Sequence, residues 1–262
     1  SFTYKELSKE ELISKKDSQN EKTKTGLNNS ILLAEEIKKE LVGLNKTILE
    51  KKELSWEEKE RVKDILKKQK KLEQQIRNTQ KENTENLKNQ KKLNPSILEK
   101  QKKLEELMNT VLDDESKKIL EELERLMNDV NKEKLKELLD KLNKENSHLE
   151  KELDRELELF KQLEFEQKVE ELVEKINDLK TAQEKLMNET AKQDHEGNDL
   201  SKKQDALKNK LEEIQKDLED LREKNMALEE KKDLPETKNI EEEIKQQMEK
   251  SSNELKNNKN KK

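Results

Sequence analysis

The sequence has no cysteine, only two prolines and three glycines, and few aromatic residues, at 2% of its 262 positions. Without cysteine, the chain has neither disulfides nor a thiol nucleophile. The glycines are isolated at positions 26, 43 and 197, so no glycine-rich phosphate-binding loop is present. No run of 18 apolar residues occurs, so this stretch contains no membrane span.

Apolar residues are also scarce, at 28% of the chain, against roughly 45–50% in ordinary globular domains. A helix that buries one narrow stripe needs about two apolar residues in seven, or roughly 29%. Nearly all the apolar content is therefore used by such stripes, and little remains for a thick core around a substrate pocket. We expect a non-enzymatic protein that uses no cofactor.

Charged residues make up 46% of the chain, yet 58 basic and 63 acidic side chains nearly cancel, giving a net charge of −5. Disorder usually combines low hydrophobicity with a high net charge. Here the charges are mixed and the apolar residues are periodic, which favours helices. Binding of nucleic acid needs a basic surface or stacking aromatics, and neither pattern is present, so we expect no nucleic-acid partner.

The clearest pattern is an apolar seam with a 3.5-residue period, the spacing by which helices bury one edge against each other. An antiparallel hairpin that turns near His195 would bring Leu179 opposite Leu211. A second copy of the chain, or a continuous rod, are alternatives, and Asn225 at a seam position could fix the register of a parallel dimer. The predicted packing seam consists of Leu172, Ile176, Leu179, Leu186, Leu200, Leu207, Leu211, Ile214, Leu218, Leu221, Asn225 and Leu228.

The whole pattern predicts an all-α fold, an elongated coiled-coil or helical-hairpin segment with a small central bundle of short helices. Capping boxes at Ser55–Glu58 and Ser147–Glu150, and Asn94 followed by Pro95, mark three helix starts. The predicted divisions are a strand remnant and polar linker (1–26), two amphipathic helices (27–92), a short-helix bundle (94–143), a long coiled-coil hairpin (147–232), and a weak helix with a Lys/Asn tail (233–262).

Two weak metal-site patterns occur. His148 follows Glu145 at the spacing used in di-iron helical bundles, but that chemistry needs a second such pair, and His195 has Lys192 in the matching place. The stretch from Asp194 to Asp205 alternates oxygen ligands, but a calcium loop requires glycine where Asp199 stands. We therefore predict no metal.

Several local motifs resemble one protein family. They are Glu152–Glu166 (ELDRELELFKQLEFE), the Leu93-Asn-Pro start, Val111–Glu115 (VLDDE) and Asp233–Thr237 (DLPET). Together they resemble the coiled-coil part of large uncharacterised membrane proteins from Bacteroidetes-type bacteria, labelled domain of unknown function 4175. The resemblance implies amino-terminal membrane helices and immunoglobulin-like β modules upstream, with Phe2–Tyr4 closing the last module. It also implies a membrane-anchored parent protein and a soluble, periplasmic location for this segment.

The expected function is that of a spacer, scaffold or protein-interaction arm, with intrachain helices or a second copy as the partner of the seam. Any other protein partner is unknown, and this segment itself is not expected to contact the membrane. The alternative is the coil arm of a motor or chromosome-maintenance-type ATPase whose head lies outside this sequence. A di-metal helical bundle enzyme is a third hypothesis, which would require bound iron or manganese.

Overall fold

The computed structural model describes residues 9–50, 55–88, 95–110, 114–126, 132–192 and 197–257. These residues form α-helices and no strand, so the predicted all-α fold is confirmed. Contacts divide the chain into unit 1 (Ser1–Leu163) and unit 2 (Glu164–Lys262). The helices are α1 (Lys9–Glu50), α2 (Trp56–Lys88), α3 (Pro95–Thr110), α4 (Asp114–Leu126), α5 (Lys132–Lys192), α6 (Gly197–Met226) and α7 (Lys238–Lys256).

Helix α1 begins 18 positions before the predicted start at Leu27, so the polar linker predicted up to Gly26 is wrong from Lys9 onward. The predicted strand remnant at 1–8 lies outside the described residues. The seam of α1 continues toward its amino terminus, but there it is polar: Asn20 and Thr23 are both buried. A search for apolar periodicity misses a helix whose buried edge is made of amides and hydroxyls.

Helix α2 lies antiparallel to α1 in unit 1. Lys68 pairs with Glu36 at 2.7 Å and with Glu40, whereas Gly26 of α1 lies against Thr79 farther along α2. The predicted helix start near Ser55 is confirmed, because α2 begins at Trp56. The backbone N–H of Ser55 donates to the Glu58 carboxylate at 2.7 Å, as in one half of a capping box.

The short helices α3 and α4 share the core of unit 1 with α1, α2 and the first part of α5. Ile97 of α3, Leu123 of α4 and Leu142 of α5 belong to the same buried apolar cluster as Leu41 and Ile65. The short helices thus pack on the α1–α2 hairpin, whereas the sequence suggested a separate bundle at 94–143. The predicted start at Pro95 is confirmed, while Asn94 lies outside the described residues.

Helix α5 runs without a break from Lys132 to Lys192, so the helix start predicted at Ser147 is wrong. No glycine or proline separates Leu142 from Ser147, and Asn146 is accommodated because its side-chain amide donates to the Leu142 carbonyl at 2.9 Å. A serine followed three residues later by glutamate is a weak signal in a chain this rich in glutamate. The boundary between the units therefore falls inside α5, after Leu163.

Unit 2 contains the second part of α5 together with α6 and α7. Helix α6 lies antiparallel to α5, because Gln183 bonds Gln204 near the α5 carboxyl end and Lys168 bonds Asp217 much earlier in α5. Helix α7 lies antiparallel to α6, with Lys256 paired to Asp205 at 3.1 Å. Residues 227–237 connect α6 to α7 without helix.

Candidate interaction surfaces

Most of the predicted seam lies in the interior of unit 2, in two apolar clusters. Leu179 is partly buried and packs against both clusters. The first cluster contains Leu186, Leu200, Leu207, Leu211, Met248 and Leu255. The second contains Phe165, Leu172, Ile214, Leu221 and Leu228, with Leu218 partly buried against it. The structure thus brings together the seam residues of α5 and α6 within one chain.

Ile176 differs from its prediction, because its side chain is 45% exposed. It lies on the flank of α5 rather than at the centre of the contact with α6, and α7 does not cover it. A heptad pattern assigns Ile176 to the seam, but burial of a flanking position requires a third helix close by. The third helix is present in unit 2, yet it leaves this position open.

Asn225 holds a turn instead of a register between two chains. Its side-chain amide donates to the Lys232 carbonyl at 2.9 Å, and its side-chain oxygen accepts from the Lys232 backbone N–H at 2.7 Å. This pair of bonds brings the chain back beside the end of α6, where Leu228 is buried and Leu234 packs against the same cluster. These bonds give Asn225 a role within one chain, and its role in the register of a parallel dimer stays a prediction.

A half-buried ion network lies on one flank of the α5–α6 contact. The Lys168 ammonium lies 2.7 Å from Asp217 and 3.0 Å from Asp220, and Lys175 also bonds Asp217. Burial alone would lower the pKa of Lys168, but the hydrogen bonds to the two aspartates outweigh it and raise that pKa. Burial would raise the pKa of Asp217, and its two lysines lower it instead. Both groups stay charged near neutral pH.

Polar pairs inside the helix contacts specify the register of unit 2. Gln183 and Gln204 exchange amide hydrogen bonds at 2.9 and 3.1 Å. Ser252 of α7 lies 3.2 Å from the Ser201 hydroxyl and also donates to Asp205. Sliding any helix by one turn would leave these buried groups without partners, at a cost of about 1–3 kcal/mol each.

Unit 1 buries a carboxyl group that has no partner. Glu156 of α5 is fully buried, and neither oxygen of its carboxyl group has a hydrogen-bond partner. Burial, followed by the nearby carboxylate of Glu152, raises the pKa of Glu156 to about 8. The group is therefore mostly protonated at pH 7. The burial of Glu156 could not be recognised from the sequence, because glutamate is abundant everywhere in the chain.

An open groove of about 930 Å³ runs along α1 and α2 in unit 1. Polar side chains dominate its lining, among them Thr25, Asn29, Gln75 and Asn78. Small-molecule sites are usually concave and mostly apolar with a few convergent polar groups. This groove is open, and its lining combines many polar side chains with the apolar Leu32 and Leu33.

The two metal hypotheses rest on few residues. His148 is exposed on α5, and His195 and Asp194 lie outside the described residues. Asp205 instead accepts a hydrogen bond from Ser252, which is the largest cause lowering its pKa. Among the residues that the structure describes, no group of three or more histidine, aspartate or glutamate side chains is placed to hold an ion.

Periodicity alone missed two features that matter for surfaces. Val173 of α5 is 53% exposed beside Ile176, and it falls outside the seam positions. Lys168 also falls outside the predicted seam, and its side chain is only 10% exposed. Two signals could have indicated these features. One is an apolar residue next to the seam, and the other is a lysine on the helix that pairs with an aspartate-rich helix.

None of the helices in the described ranges has a stretch that is both long enough and apolar enough to cross a bilayer. No family model, curated protein or solved structure matches the chain. A function can therefore be inferred only from the packing, charges and surfaces of this chain.

Proposed function

We propose that this chain is a non-enzymatic coiled-coil segment that acts as a scaffold, spacer or protein-docking arm. One observation carries the proposal: the buried apolar side chains of both units lie in contacts between helices. In such packing neighbouring helices cover most apolar side chains of the described ranges, and little apolar volume is left there to enclose a substrate.

The arm is further proposed to belong to a membrane-anchored parent protein, with this segment in the periplasm. The support is the resemblance of motifs such as Glu152–Glu166 and Asp233–Thr237 to the coiled-coil part of that membrane-protein family. The second motif has a structural part in unit 2. Thr237 accepts a hydrogen bond from Arg222 at 2.8 Å, directly before α7 begins.

The reading frame that surrounds this sequence tests the proposal most economically. Membrane helices and β modules upstream would support it, whereas a nucleotide-binding domain in the flanking sequence would replace it with the ATPase-arm hypothesis. Metal analysis of the purified chain gives a second test. Stoichiometric iron or manganese that survives chelation would overturn the non-enzymatic assignment, because di-metal bundles retain their ions through several ligands.

A further inference from the structure

We propose that α5 and α7 form a groove in unit 2 that binds an amphipathic helix with a basic polar face. The groove is defined by Val173 and Ile176 of α5 and by Ile240 and Ile244 of α7 and is called the α5–α7 groove. The proposal rests on the proposed function, because it names the class of partner that the docking arm would bind.

The four apolar side chains of the groove are exposed to similar extents. Val173 and Ile176 are 53% and 45% exposed, and Ile240 and Ile244 are 57% and 43% exposed. Each pair is separated by three or four residues, so each forms a short ridge on one side of its helix. Isolated exposed apolar residues are normal in proteins, but ridges on neighbouring helices indicate a binding surface when they face one another.

The two ridges lie on the same side of the α5–α6 pair. Along α5, Lys175 lies on one flank of the contact with α6, where it meets Asp217, and Ile176 lies about 100° away on the other flank. On α6, Asp217 occupies the flank opposite to Glu212, which pairs with α7. Because α5 and α6 are antiparallel, the flank of α5 opposite Lys175 and the flank of α6 opposite Asp217 are on the same side of the helix pair. Helix α7 lies on that side.

The ridges are also at the same level along the helices. Lys175 of α5 contacts Asp217 of α6, and Lys245 of α7 contacts Glu212 of α6, little more than one turn away. The segments that carry Ile176 and Ile244 are therefore side by side. The edge of α7 that carries Ile240 and Ile244 adjoins Met248, which is buried in the cluster that contains Leu186 of α5, so this edge is the one nearer to α5.

The groove is open at one end of α7 and closed at the other. Met248 and Leu255 are buried in the cluster that Leu186 of α5 shares with α6. One to two turns earlier, Ile240 and Ile244 carry the same apolar character but no helix covers them. A helix laid between α5 and α7 would bury these ridges in the way that amphipathic helices enter apolar grooves, with anchors every third or fourth residue.

The charges beside the groove select the occupant. Glu170 precedes the α5 ridge by one turn, Glu236 lies just before the first residue of α7, and Glu243 adjoins Ile244; all three are exposed. On the same flank of α5 the described residues include one exposed lysine, Lys180. A helix with lysine or arginine beside its apolar face complements these carboxylates. A second copy would bring the same acidic edges together, and like charges across an interface oppose association.

The test uses two labelled synthetic helices about three heptads long, with identical leucine and isoleucine positions and either lysine or glutamate beside them. Binding to the full chain is followed by fluorescence anisotropy at low and high salt. We expect the lysine peptide to bind at least about tenfold more tightly than the glutamate peptide at low salt, with the difference shrinking as salt screens it.

Substitutions locate the binding. The double variant Val173→Asn, Ile244→Asn should weaken binding of the lysine peptide by about tenfold or more. The reason is that the asparagines remove part of the apolar area that the peptide buries. The matched control Leu32→Asn, Leu49→Asn changes two exposed apolar residues of α1 and should leave binding unchanged. The charge-reversed variant Glu170→Lys, Glu243→Lys should favour the glutamate peptide.

Three results would overturn the proposal: equal binding of both peptides, unchanged binding by the groove variant, or a dimer of the chain that the groove variant dissociates. The last result would make a second copy the occupant. Circular dichroism of each variant confirms that the helices remain folded. The broader proposed function fails on different observations, namely a catalytic domain in the flanking reading frame or a tightly held metal.

Discussion

The two units bury ionisable groups in opposite ways. Unit 1 places Glu156 in its interior without a partner, so its pKa rises to about 8. Unit 2 places Lys168 at a helix contact and surrounds it with Asp217 and Asp220, so both signs of charge are retained. A buried acid avoids the cost of desolvation by staying protonated, whereas a buried pair offsets it by attraction. The stabilities of the two units, which are built from the same kinds of residue, are thus expected to respond differently to pH.

The largest effect is expected where a charge enters the seam of unit 2. Leu211→Asp with Leu218→Asp should destabilise unit 2 by about 5 kcal/mol or more, because it combines lost apolar burial with buried carboxylates. Far-UV circular dichroism during thermal unfolding should show loss of the helical signal of α6 and α7. Met226→Asp, at an exposed position of α6, is the control and should melt like the wild type.

The second prediction concerns the sign of the pH response in unit 1. The pKa of Glu156 is raised in the folded state, so the folded chain binds more protons than the unfolded chain between pH 4.5 and about 8. Stability should fall as the pH rises through this window, by up to about 1.4 kcal/mol per pH unit from this group. Glu156→Gln should remove the slope and stabilise the chain by about 4 kcal/mol at pH 8.

Chemical denaturation at several pH values measures this slope. Glu106→Gln, at an exposed position of α3, should leave the slope as it is in the wild type. A wild-type chain whose free energy of unfolding does not decrease between pH 5 and about 8 would show that Glu156 is solvated or paired.

The third prediction gives the opposite sign for unit 2. The pKa of Asp217 is lowered below its usual 3.8, so its stabilising effect is complete above that pH and is lost as the pH falls through the folded value. Asp217→Asn should cost about 2 kcal/mol at neutral pH, because Lys168 and Lys175 then lose their shared carboxylate. Asp199→Asn, in an exposed and long ion pair, should cost less than about 0.5 kcal/mol. Equal effects of the two substitutions would count against the network.

The smallest effects come from two glycines of α1. A Cβ added at Gly26 would lie 2.2 Å from the Thr79 hydroxyl oxygen, so the Thr79 side chain or the two helices must shift. Gly26→Ala should destabilise unit 1 by about 1–2 kcal/mol, and adding Thr79→Ala should recover part of the loss.

Gly43 has no neighbour within 4 Å of such a Cβ, so Gly43→Ala should stabilise the chain by up to about 1 kcal/mol through helix propensity. Urea denaturation of the three variants tests the contrast, and stabilisation by both glycine substitutions would contradict the close approach.

The sequence allowed the all-α fold, several helix starts and most of the unit 2 seam to be predicted. These features depend on local signals, such as Pro95 at a first turn and the leucine spacing of α6. The amino-terminal part of α1 could not be predicted because its buried edge contains Asn20 and Thr23. The exposure of Ile176 depends on where α7 packs, and the burial of Glu156 depends on how α5 is rotated in unit 1. Neither is a local property.

Antiparallel neighbours within one chain cover the leucine seam of unit 2. Because the chain lacks cysteine, Gln183→Cys with Gln204→Cys can be joined by a short thiol-specific cross-linker at a point where the wild-type amides are 2.9 Å apart. We expect an intrachain link in this pair and none in the control pair Gln183→Cys, Met226→Cys, whose second site is at the far end of α6. Links that join two chains, or equal intrachain yields in both pairs, would contradict it.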